Sequence, residues 1–137
     1  MHHLHFNHWA ILVSALILWF LGAAWYSPAL FAKPWMALLG IKPDPKNKNK
    51  SLIFGMVSSF IGDLLLSLVL AHVVLWSGAG SYRSGAFIGF IVWLGFFAAP
   101  NFPQGIYEGR PFKLFAINAG YWLVGLIACG VLFAVWR

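Results

Sequence analysis

The chain has 137 residues, of which 61% are hydrophobic and only 9% are charged. A soluble domain is typically about 25% charged, so a water-soluble fold cannot hide this apolar surface and lipid must be its solvent. The net charge of +6 does not indicate nucleic acid binding, because the Lys and Arg residues lie in loops between apolar runs and form no basic patch interleaved with aromatic residues.

The N-terminal segment is rich in histidine. His2, His5 and His8 are spaced by three residues, a spacing that suits a transition metal if the segment is helical. No Cys, Asp or Glu nearby completes a ligand set and chain termini commonly fray, so we predict no metal and no cofactor. We expect Asn7 to cap the helix that follows.

The first apolar run covers residues 8–26 and carries no charge. A helix needs roughly 17–25 apolar residues to span a bilayer, and without a preceding Lys or Arg we expect a retained crossing rather than a signal peptide. Pro28 disfavours helical geometry at Ser27 and ends the run. The apolar residues 30–39 then predict a short helix at the membrane interface.

The second run, residues 52–76, carries Asp63 near its centre. A carboxylate at mid-membrane depth costs at least about 2.5 kcal/mol unless it is paired, protonated or wet, so it is usually buried in protein. Ser59 and Ser67 lie four residues to either side and share its helix face. Two interpretations stay open: hydrogen bonding between helices, or a proton- or cation-handling site in which Asp63 titrates.

The third run, residues 85–102, is uncharged and marginal in length. Pro100 opposes a continuing α-helix, so we predict that the helix ends close to residue 102. Either an ordinary loop follows, or a broken backbone at membrane depth opens a small polar vestibule. The candidate residues of that vestibule are Asn101, Gln104, Glu108 and Arg110.

The fourth run, residues 112–136, crosses in the same direction as the second. Counting along both helices brings Asn118 and Tyr121 close to the depth of Asp63. We therefore expect these two side chains to complete a polar intramembrane site with Asp63, while a hydrogen bond from Asn118 to another helix is the alternative.

Small residues predict where helices pack closely. Gly85 and Gly89 form a Gly-x-x-x-Gly pair on the third run, and Gly125 lies on the fourth. We expect more such surfaces than four helices use internally, so we predict a homo-oligomer or a membrane-protein partner, with the third helix as the contact.

Loop charges predict the orientation. Residues 33–50 carry five lysines and the link before the fourth run carries Arg110 and Lys113, whereas the second loop has only Arg83. The positive-inside rule therefore places loops one and three in the cytoplasm and both termini outside, in a bacterial inner membrane.

Two stretches resemble a known family. Residues 22–28 read GAAWYSP and are followed by Phe31, Trp35 and Gly40, and residues 112–124 read FKLFAINAGYWLV. Together they resemble the small bacterial membrane proteins catalogued as domain of unknown function 1761. The resemblance covers nearly the whole chain and implies four membrane helices without an assigned activity.

The sequence thus predicts one all-α polytopic domain, residues 1–137, a four-transmembrane-helix bundle with a short interfacial helix after the first crossing. No Ser/His/Asp set or Gly-rich phosphate loop is present, so we expect a non-enzymatic protein, with a metal-dependent membrane enzyme as a third alternative. The first hypothesis is a scaffold or accessory subunit that binds lipid or other membrane proteins. The alternative is a homo-oligomeric channel or a proton- or cation-coupled small-solute transporter that uses Asp63.

Overall fold

The computed structural model describes residues 7–27, 30–39 and 48–136, and this part of the chain is helical without a strand. Four helical stretches are long and apolar enough to cross a membrane: His8–Trp25, Ile53–Ser77, Tyr82–Tyr107 and Phe112–Val135. The predicted all-α architecture with four spans is therefore confirmed. His2, His5 and the lysine-rich loop at residues 40–47 lie outside the described residues.

The helices follow one another in the order α1 (His8–Trp25), α2 (Ala32–Leu39), α3 (Lys48–Ser77), α4 (Tyr82–Val92), a π-helical segment (Trp93–Ala98), α5 (Ala99–Tyr107) and α6 (Phe112–Val135). The third span consists of α4, the π-helical segment and α5 in continuous succession. The fourth span, α6, lies at the centre of the bundle, where it contacts α1, α3 and α4.

The two ends of α1 form as the sequence predicts. The side chain of Asn7 accepts hydrogen bonds from the backbone N–H groups of Trp9 and Ala10 at 3.1 and 3.2 Å, which confirms the cap. The helix ends at Trp25, and α2 then folds back so that the rings of Tyr26 and Trp35 lie 5.0 Å apart. The predicted short helix after the first crossing is confirmed.

The prediction that the third helix ends close to residue 102 is wrong, because helical backbone continues to Tyr107 with Pro103 inside it. The N–H of Ala99 donates to the carbonyl of Leu94, five residues earlier, as in a π-helix. This wider turn changes the hydrogen-bond register directly before Pro100. In a regular α-helix the proline ring would clash with the carbonyl of Phe96, four residues earlier. A local π turn therefore accommodates the proline without ending the span.

Glycines bring α4 and α6 into backbone contact. A Cβ added to Gly85 would lie 2.5 Å from the carbonyl oxygen of Gly130, and one added to Gly89 would overlap the backbone of Leu126. A Cβ on Gly125 would meet the Leu18 side chain at 2.6 Å. All three glycines thus serve packing within one chain, so α6 already covers the Gly85–Gly89 pair, and the expected contact of the third helix with a partner stays a prediction.

Candidate functional site in a cleft beside Asp63

Polar groups are buried at the contact between α1 and α3. Ser14, Asp63 and Ser67 are the buried polar or charged side chains of the described residues. The hydroxyl oxygens of Ser14 and Ser67 lie 2.8 Å apart, and the thiol of Cys129 donates to the Ser14 carbonyl at 3.8 Å. Ser67 therefore joins two helices, which is the packing interpretation of the polar stripe.

Asp63 differs from Ser67, although both lie on the same face of α3. Asp63 is only 4% exposed, which confirms that it faces the protein interior. Among the described residues, none donates a hydrogen bond to its carboxylate. Its oxygens instead reach the open space of a cleft that lies between α1, α3 and α6.

The two hydrogen-bond partners that we expected for Asp63 bind other groups. The hydroxyl of Tyr121 donates to the Leu18 carbonyl at 2.7 Å. The side-chain oxygen of Asn118 accepts a 2.6 Å hydrogen bond from the Tyr26 hydroxyl. Tyr121 thus binds α1, and Asn118 binds the turn that follows α1. Comparing the membrane depths of residues on α3 and α6 alone does not reveal these partners.

The cleft has a volume of about 730 Å³. Its described lining residues are mainly aromatic, small or aliphatic, and Asp63 is the one charged side chain among them. They are Leu18, Trp19, Gly22, Ala23, Tyr26, Trp35, Gly55, Met56, Ser59, Gly62, Asp63, Tyr121 and Trp122. The cleft can therefore hold a drug-sized molecule next to a single carboxyl group.

One wall of the cleft is a continuous series of aromatic rings. The ring centroids of Trp35 and Tyr26 are 5.0 Å apart, those of Tyr26 and Tyr121 are 5.7 Å apart, and those of Tyr121 and Trp122 are 4.8 Å apart. Burial raises the pKa of Tyr26 to about 12, so its hydroxyl stays protonated and donates to Asn118 throughout the physiological range.

Apart from Tyr121, sequence reasoning missed these aromatic residues as site residues. Aromatic residues close to the ends of membrane-spanning runs are common in any membrane protein, so the positions of Tyr26 and Trp35 did not by themselves indicate a site. The available signal was the GAAWYSP stretch of the family resemblance, because it contains Gly22, Ala23 and Tyr26, which line the cleft.

The opposite wall belongs to α3 and is open. Within the part of the chain that the structure describes, Cβ atoms added to Gly55 or Gly62 would meet no neighbouring group within 4 Å. Ser59 is exposed and lines the same cleft as Asp63. The four-residue spacing of Ser59 and Asp63 thus brings these two groups to one cavity, as the helical period predicts.

The four candidate vestibule residues meet in a second, smaller cavity of about 220 Å³, although the helix is not broken there. Gln104 donates to Glu108 at 2.8 Å, and Arg110 forms an ion pair with Glu108 at 2.8 Å. Asn101 donates to the Phe97 carbonyl at 2.7 Å. Asn118 also lines this cavity. Its side chain therefore borders the vestibule and at the same time accepts the hydrogen bond from Tyr26, which lines the Asp63 cleft.

No metal centre is found among the residues that the structure describes. Within them, no group of three or more His, Cys, Asp or Glu side chains is placed to hold an ion. His8 is exposed at the first position of α1, and the other two candidate ligands lie outside the described ranges.

Comparisons with known proteins identify one family. The family model described as "Protein of unknown function (DUF1761)" matches residues 9–134. No curated protein and no solved structure matches the chain significantly.

Proposed function

Because the chain belongs to the DUF1761 family of proteins of unknown function, we propose its function from its own cleft: it is a membrane carrier that binds a small solute beside Asp63. One observation carries the proposal. A carboxylate that is only 4% exposed faces an open cleft and has no donor among the described residues. At membrane depth such a group is stable when it is protonated, paired with a cation or hydrated, and exchange among these states is the chemistry of a proton- or cation-coupled site.

The neighbouring serine argues against a purely structural role for Asp63. If the aspartate joined helices, its oxygens would accept a hydrogen bond from a facing helix, as the hydroxyl pair of Ser14 and Ser67 does at 2.8 Å. Asp63 lies one turn away on the same face and faces the cleft instead. Its free acceptors are therefore available to a ligand.

Transport further requires an assembly, because four helices form a bundle too thin for an aqueous route through one chain. The surface between copies differs from the Gly85–Gly89 pair, which α6 covers. Loop charges support a position in the inner membrane with both termini outside and loops one and three in the cytoplasm. The carrier performs no covalent chemistry and holds no cofactor.

Proton movement in liposomes tests this function. The purified protein is reconstituted with a pH-sensitive dye inside, the lumen is made acidic, and pulses of Na⁺, K⁺ or quaternary ammonium ions of increasing size, up to drug size, are added outside. We expect at least one solute to drive proton efflux in the wild type and in Asp63→Glu, but not in Asp63→Asn. Glu108→Gln, which changes an exposed carboxylate outside the cleft, is the matched control and keeps the flux. Equal flux through Asp63→Asn, or no flux with any solute, refutes the carrier.

A second candidate function, a scaffold or accessory subunit, is favoured by a separate apolar groove. This groove of about 480 Å³ lies between α3, the third span and α6, and Leu65, Val69, Phe96 and Leu126 are among the residues that line it. Its shape suits a lipid acyl chain or a helix of another membrane protein. Native mass spectrometry from membranes separates the two functions, because a retained heterologous protein supports the scaffold and a closed homo-oligomer supports the carrier.

A further inference from the structure

We infer that the ligand of the Asp63 cleft is a hydrophobic organic ammonium, a quaternary or protonated tertiary amine of drug size. Its charge is balanced by the Asp63 carboxylate and its carbon substituents pack on the aromatic wall. This inference rests on the proposed function, since it names the class of solute that the same site binds.

The charged group in the cleft selects the sign of the ligand's charge. Among the described lining residues only Asp63 is charged, and it is buried. A monovalent cation bound there removes the cost of an unpaired carboxylate at membrane depth, whereas an anion adds to that cost. The cleft therefore favours a ligand with one positive charge.

The aromatic wall selects a cation that carries apolar substituents. The faces of Trp and Tyr rings attract cations, and they attract them more strongly where water is excluded. The hydroxyls of Tyr26 and Tyr121 are already bonded, to Asn118 at 2.6 Å and to the Leu18 carbonyl at 2.7 Å. These two residues consequently offer their rings to the cleft more than their hydroxyl groups.

An inorganic cation is poorly matched to the same lining. Hard metal ions take about six oxygen ligands, and the described side chains offer the Asp63 carboxylate, Ser59 and two phenol groups that already donate elsewhere. A quaternary or tertiary ammonium, whose nitrogen is surrounded by carbon substituents, needs no such shell of oxygen ligands. The chemistry of the wall and the single carboxylate thus point to the same ligand class.

The volume of the cleft agrees with a ligand of that size. The cleft holds about 730 Å³, and pockets for drug-sized molecules typically hold about 300–1,000 Å³. Glycine creates part of this space, because a Cβ added to Gly55 or Gly62 would meet no side chain of the described residues within 4 Å beyond those of its immediate chain neighbours. Larger side chains at these two positions would fill the space of the ligand without pushing other helices apart.

Binding of dibenzyldimethylammonium tests the inference. The full chain is placed in nanodiscs of zwitterionic lipid, and titration calorimetry in two buffers of different ionisation enthalpy gives both the affinity and the protons released. We expect saturable binding with release of up to about one proton per chain, because the cation replaces the proton on Asp63. The uncharged isostere 2,2-dibenzylpropane, in which carbon replaces the nitrogen, should not compete.

Four variants locate the site. Asp63→Asn should bind the ammonium at least about tenfold more weakly and release no proton, and Trp35→Leu should weaken binding by a similar factor through the lost ring. Gly62→Leu should abolish binding by filling the cleft. Gly95→Leu is the matched control and should bind like the wild type, since its Cβ position is equally open and it lines none of the described cavities.

The possible results separate this inference from the proposed function. Binding that survives both Asp63→Asn and Gly62→Leu overturns the assignment of the ligand to this cleft. If Na⁺ or K⁺ releases the Asp63 proton and the ammonium does not, the organic ligand is wrong while the coupled carrier stands. If neither class of cation releases a proton from the wild type, both conclusions fall.

Discussion

The hydroxyl of Tyr26 donates a 2.6 Å hydrogen bond to the side-chain oxygen of Asn118, and this bond connects the linings of two cavities. Tyr26 belongs to the Asp63 cleft, and Asn118 also borders the smaller cavity beside Glu108. The ends of α1 and α6 are thus tied together at the point where the two cavities approach each other.

Tyr26→Phe should destabilise the bundle by about 1 kcal/mol, because it leaves the Asn118 oxygen without its donor. Denaturation in mixed micelles, followed by circular dichroism, measures the change. The matched control is Tyr107→Phe, which removes the hydroxyl of a residue that is 88% exposed and should have little effect. Equal stability of Tyr26→Phe and the wild type would show that this bond contributes nothing.

Asp63→Leu should increase the unfolding free energy by about 1 kcal/mol or more while it abolishes ammonium binding. No described residue donates to the wild-type carboxylate, and the side chain is only 4% exposed. A carboxylate at membrane depth costs at least about 2.5 kcal/mol unless it is protonated, paired or hydrated, and leucine does not have this cost. The same denaturation assay measures this gain. A clear loss of stability would instead assign Asp63 to helix packing and would contradict the carrier.

Gly89→Ala should destabilise the protein by about 1–3 kcal/mol, because the new methyl group overlaps the backbone of Leu126 and forces α4 away from α6. Gly95→Ala provides the control, since no neighbouring group of the described residues lies within 4 Å of its Cβ position. Native mass spectrometry of folded Gly89→Ala should show the oligomeric state of the wild type. A change in that state alone would place the contact between copies on the Gly85–Gly89 face of the third helix.

The orientation is tested by cysteine labelling in intact bacterial cells, with Cys129→Ala as background. Lys48→Cys should be protected from an impermeant thiol reagent, because the first loop is expected on the cytoplasmic side. Gly80→Cys lies in the second loop, is exposed and should be labelled. The reverse pattern would invert the topology and place the vestibule cavity outside.

Local sequence features predict several elements of this fold correctly. Four apolar runs of sufficient length give four spans, because the thickness of the bilayer sets the length of a crossing helix. Asn7 caps α1, and the chain leaves that helix after Trp25, since capping and the restriction imposed by Pro28 act between neighbouring residues. The burial of Asp63 follows from the cost of exposing a carboxylate to lipid.

Tertiary packing decides which groups meet, and the hydropathy pattern does not encode it. In lipid both the packed and the exposed faces of a helix are apolar, so the pattern does not show which face contacts a neighbour. For this reason the sequence did not reveal that Tyr121 binds the Leu18 carbonyl or that α6 covers Gly85 and Gly89. The aromatic wall likewise exists only because the chain turns after α1, so that Trp35 of α2 and Tyr121 of α6 both pack against the ring of Tyr26.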